Sequence, residues 1–122
     1  MARFEACTLP ASDFSHRSHV RLAWLYLRER SLLDTLNRYS TGIRRYAASL
    51  GAPAKYHETI TWAFLFLIHE RMHGSACDSF EEFAAANEDL FGPILERYYS
   101  REVLASEAAR RMFVLPSAER RR

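Results

Sequence analysis

Three observations predict an all-α, single-domain helical bundle of about five to six helices. Apolar residues recur at spacings of three and four through most of the 122 residues. Serines stand where several of these runs begin, in the place of helix N-caps. No stretch alternates with the period of two that a half-buried strand needs, and neither an internal repeat nor a low-complexity segment interrupts the pattern.

Residues 1–12 read as an N-terminal arm. Asp13 can cap a first helix through "FSHRSHVRLAWLYLRER", where His16, Val20, Ala23 and Leu27 share a face bordered by His19, Leu22 and Tyr26. Ser31 caps a second, whose stripe runs Leu32, Leu36, Tyr39, Ile43, Tyr46, Leu50 until Gly51 and Pro53 stop it. Gly42 inside that helix points to a kink or a close contact, since a mid-helix glycine costs about 1 kcal/mol. A third helix spans about Tyr56 to His73. Its "WAFLFLI" segment is apolar on nearly every side, which predicts the central place in the bundle. Ser79 with Glu82 forms a capping box for "FEEFAAAN", another short helix begins at Asn87, and Ser100 and Ser106 cap the helices that close the bundle. Trp24 and Trp62 read as core. Residues 117–122, "SAERRR", read as a frayed basic tail.

Charge excludes some partners. With 17 Lys+Arg against 15 Asp+Glu, the net charge of +2 marks neither a nucleic-acid nor a membrane-surface protein. The apolar run "ITWAFLFLI" falls well short of the roughly 20 residues of a bilayer span. Cys7 and Cys77 have no framework spacing and no export segment opens the chain, so two free thiols in a reducing cytoplasm are expected. The many large aromatics can leave an apolar face over, so a homodimer is among the expected states.

The chemistry lies in five histidines, which fall into three groups: "HRSH" (His16, His19), "KYHET" (His57) and "HERMH" (His69, His73). The last matches the zinc-hydrolase pattern, in which His69 and His73 would hold zinc one turn apart while Glu70 polarises a bound water. Against it, no histidine follows His73 as a third ligand and no strand is available to pair with a peptide substrate, so "HERMH" reads as a helix end. His16 and His19, three residues apart, can instead converge with His57 from a facing helix on one metal ion, with Glu58 or a tyrosine completing the set. A three-histidine set poor in carboxylates leans to zinc over iron. The plain alternative is that these are histidines bonded to backbone at helix starts. Lys55, Thr59 and Thr61 flank His57 as candidate ligand-binding groups, with Tyr99 added from "RYYS"; His57, Tyr56 and Tyr98 are the candidate catalytic residues. No glycine-rich phosphate loop, G-x-S-x-G elbow or Cys-x-x-Cys appears.

The segments "FSHRSHVRLAWLYL", "KYHETIT" and "YYSREVLASEAARRMFV" together resemble an uncharacterised family of small bacterial all-helical proteins, over most of the chain. The resemblance implies that Phe14, His16, His19, Tyr56, His57, Thr59, Thr61, Tyr98, Tyr99 and Ser100 form a shared polar and aromatic set. His69, Glu70 and His73 depart from it, and no activity comes with it. The function expected from these residues is a histidine-lined interior site binding a metal ion or small organic ligand, with small-molecule catalysis included. A non-catalytic interaction module and an HExxH zinc hydrolase are the alternatives.

Overall fold

The computed structural model describes residues 2–10, 12, 14–74 and 77–116. The chain is all-α, with seven α-helices, three short 3-10 turns and no strand among the described residues. They are α1 (Ala2–Glu5), α2 (His16–Glu29), α3 (Leu32–Ser49), α4 (Glu58–His73), α5 (Phe80–Ala86), α6 (Arg101–Leu104) and α7 (Glu107–Arg111). The 3-10 turns cover Pro53–Lys55, Glu88–Phe91 and Ile94–Arg97. One helix more than expected arises because the arm itself folds into α1.

Serine caps set most boundaries. Ser31, Ser79, Ser100 and Ser106 each accept the backbone N–H three residues on, as the sequence pattern requires. At α2 the cap is Ser15, which accepts from Ser18 N–H at 3.3 Å. The expected cap, Asp13, lies outside the described residues, as does the 117–122 tail.

α4 packs against α2, α3 and α7, which is why its sequence is apolar on every side. Ala63, Leu65 and Ile68 are buried there. α2 contributes Val20, Leu22, Ala23, Trp24, Tyr26 and Leu27 to the core, and α3 contributes Tyr39, Ile43 and Tyr46. The expected α3 stripe holds in its middle and fails at its end, where Leu50 is exposed. Trp62 also departs from expectation: it is half-buried on a flank, its ring stacked 5.5 Å from that of Phe113.

The arm is part of the core. Phe4 is buried among Phe14, Tyr39 and Tyr46, and its ring lies over the Cα of Gly42. A Cβ at that position would meet the ring at 2.5 Å, so the mid-helix glycine marks a close approach. Cys7 and Cys77 are not joined in a disulfide. Among the described residues, no helix is long and apolar enough to cross a membrane.

Candidate functional site

The site is built around the start of α4. Gly51, at φ +73°, ends α3, and the Pro53–Lys55 turn carries the chain to His57, which takes the N-cap of α4. Its Nδ1 accepts the Ile60 N–H at 3.1 Å, and its Nε2 lies 2.6 Å from the Leu104 carbonyl. A carbonyl only accepts, so Nε2 carries the proton and Nδ1 the lone pair. The Thr61 hydroxyl donates back to the His57 carbonyl at 2.7 Å. Both ring nitrogens are therefore committed to backbone.

The two histidines of α2 differ from His57 and from each other. His16, at the rim, donates from Nε2 to the Leu90 carbonyl at 3.0 Å, with Phe64 edge-on to its ring. His19 stacks flat on Phe14, ring centroids 3.8 Å apart. Burial, and secondarily the neighbouring His16, push its pKa down from 6.5 to about 4, so it is a neutral imidazole at neutral pH. No described residue hydrogen-bonds its ring nitrogens.

These side chains line one cavity of about 340 Å³ between α2, α3 and α4. His16, His19, Val20 and Ala23 form one wall, Tyr39 and Ile43 a second, and Lys55, Tyr56, His57, Ile60, Thr61 and Phe64 the third. The Tyr39 hydroxyl donates to the His19 carbonyl at 3.2 Å, and burial raises its phenol pKa. At the mouth, the Tyr56 hydroxyl donates to Glu58, Arg44 pairs with the same carboxylate at 3.3 Å, and the Arg44 guanidinium sits 4.8 Å above the Tyr56 ring. Burial and the Glu58 hydrogen bond raise the Tyr56 phenol pKa. Tyr56 is thus held as a neutral, fixed wall.

Six of the residues singled out from the sequence meet here: His16, His19, Lys55, Tyr56, His57 and Thr61. Three do not. The buried Thr59 hydroxyl donates to the Met112 carbonyl at 2.8 Å and accepts the Val114 N–H at 3.1 Å, tying the C-terminal segment to α4. Tyr98 and Tyr99 line a separate apolar cavity of about 150 Å³ with Phe66, Leu95 and Phe113. The Tyr99 hydroxyl donates to the Val114 carbonyl at 2.6 Å.

The expected metal set of His16, His19 and His57 is not gathered in the structure. Among the described residues, no group of three His, Cys, Asp or Glu side chains could hold a metal ion. His57 has no free ring nitrogen, and the rim position of His16 directs its Nε2 to Leu90. His69, Glu70 and His73 are exposed at the end of α4, without a further ligand from the described residues. What "HERMH" contributes to the fold is Arg71, paired with both carboxylate oxygens of Asp89 at 2.8 Å and with the Asn87 amide oxygen at 3.0 Å. That pairing draws the Asp89 pKa down to about 2.

Two cavity features escaped the sequence reading. Tyr39 was assigned to helix packing, and Arg44 carries no motif; the only signal available was its place one turn after Ser40 on the helix facing "KYHET". No family model, curated protein or solved structure matches this chain.

Proposed function

We propose that this is a small-molecule-binding protein whose cavity between α2, α3 and α4 takes a compact, largely apolar organic ligand. The observation that carries this reading is the convergence of His16, His19, Lys55, Tyr56, His57 and Thr61, chosen from two separated segments, on one 340 Å³ space. Val20, Ala23, Ile43, Ile60 and Phe64 supply the apolar lining, and His19 supplies the uncommitted polar group that would orient the ligand. The organic reading is favoured over the zinc or iron one because His57 and His16 direct ring nitrogens to backbone carbonyls. His19 would be the acid–base residue if the ligand is also turned over, since a neutral imidazole can accept a proton. Cys7 and Cys77, not joined in a disulfide, agree with action in a reducing cytoplasm.

The test is a fragment titration followed by backbone and side-chain NMR. Binding should shift signals of His19, Ala23, Thr61 and Phe64, and Ala23→Phe, which fills the cavity, should abolish it while circular dichroism stays helical. Shifts confined to Tyr98, Tyr99 and Phe113 would move the site to the second cavity and overturn the proposal.

A further inference from the structure

We infer that the ligand is an organic acid, its apolar body in the cavity and its anionic head on a basic shelf formed at the mouth by Lys55, Arg44 and Arg110. This rests on the cavity reading above and adds the ligand's charge and direction.

The Pro53–Lys55 turn is a ridge between two depressions. On its inner side is the cavity, reached by Lys55 and Tyr56. On its outer side is a shallow basin lined by Arg44, Pro53, Ala54, Tyr56, Glu107, Arg110 and Arg111. Tyr56 borders both, so a ligand leaving the cavity past its ring meets the basin directly.

Charge at this mouth is unbalanced. Glu58 holds Arg44 at 3.3 Å, and Glu107 holds Arg111 at 3.1 Å. Lys55 on the cavity side and Arg110 on the basin side have no carboxylate partner among the described residues, which leaves one uncompensated positive charge on each side of the Tyr56 ridge. Lys55, exposed at the rim, is the one Lys or Arg that lines the cavity. Further in, the polar groups are the imidazoles, the Thr61 hydroxyl committed to His57 and the Tyr39 hydroxyl committed to His19. An anion placed there would be desolvated without a countercharge, whereas at the mouth it stays partly hydrated and meets two cations. The same asymmetry fixes direction: apolar end inward, charge outward. Arg44, stacked on Tyr56 and paired with Glu58, is already immobilised, so little side-chain order is lost when a carboxylate reaches the shelf.

The experiment compares two acid–amide pairs, naphthalene-2-acetate with naphthalene-2-acetamide and octanoate with octanamide, by calorimetry at low salt on the full chain. In at least one pair the acid should bind about tenfold more tightly than its amide, the size expected from two partly exposed charge contacts. The double variant Lys55→Gln/Arg110→Gln should bring acid and amide within about twofold by weakening the acid. Inorganic phosphate should compete with the acid and not with the amide. Equal binding of acid and amide, or an acid preference that survives the double variant, would overturn this inference and leave the cavity reading standing. Failure of all four probes to shift His19 or Thr61 in the NMR spectrum would overturn both.

Discussion

His19 is enclosed by the Phe14 ring on one side and the cavity on the other, and its protonation is expensive for that reason. Its pKa falls from 6.5 in an ordinary setting to about 4 in the fold, so the unfolded chain binds the proton more readily. Stability attributable to this group is fully present above 6.5 and is lost as pH falls towards 4. Between neutral pH and about pH 4.5, urea unfolding should show a loss of about 2 kcal/mol that His19→Gln does not show. Asp89 acts in a lower window. Held down by Arg71, it begins to lose its contribution only below 3.8 and finishes near 2, so the two effects separate on a pH titration of stability. The clustering of histidines was legible in the sequence, and so was the plain alternative of backbone-bonded imidazoles. Which nitrogen does what was not legible, because the acceptors are the carbonyls of Leu90 and Leu104, 74 and 47 residues away in the chain.

Among the helices, α4 depends on an unusual cap. Histidine at an N-cap works here because its second nitrogen is anchored on Leu104, which fixes the ring so that Nδ1 meets Ile60 N–H. As a candidate catalytic and metal-ligating residue in the sequence, His57 is expected to act on ligand binding. With the structure, the larger effect belongs to stability: His57→Ala should cost about 2 kcal/mol in chemical denaturation, one part from the cap and one from the freed carbonyl. His57→Asn, which keeps a cap but cannot reach Leu104, should recover about half of it. On α3, Gly42→Ala gains helix propensity of about 1 kcal/mol yet drives a methyl into the Phe4 ring. Phe14, Tyr39 and Tyr46 leave that ring nowhere to go, so the variant should be net destabilised by about 1 to 3 kcal/mol in a thermal melt. Adding Phe4→Leu should return part of the loss. Helix periods and serine caps were readable because they are local rules. The Phe4–Gly42 contact joins two segments by packing alone, and the glycine announced only that something would be close.

Across the whole molecule, the C-terminal segment closes over α4. Thr59 grips Met112 and Val114, Tyr99 takes the Val114 carbonyl, and Phe113 lies against Trp62. Residues read as ligand-binding in sequence, Thr59 and Tyr99, fasten this segment. A hydroxyl next to a histidine motif carries no mark that distinguishes a binding group from a clasp. Thr59→Val, which keeps the shape and removes both hydrogen bonds, should expose the backbone of residues 112–114. Amide exchange there should accelerate, with a loss of about 1 to 3 kcal/mol in overall stability.

The clasp also bears on the order of folding. The first turn of the central helix is completed by groups 47, 53 and 55 residues further along the chain, through Leu104, Met112 and Val114. Bringing such distant partners together carries the entropy of closing a long loop, while α2 and α3, joined by a tight connection, can pair with far less. The α2–α3 hairpin therefore belongs to the early nucleus, and the clasp locks after the rate-limiting barrier. In stopped-flow kinetics, Thr59→Val should leave the refolding rate nearly unchanged and speed unfolding instead, so the clasp acts as a brake on escape from the native state.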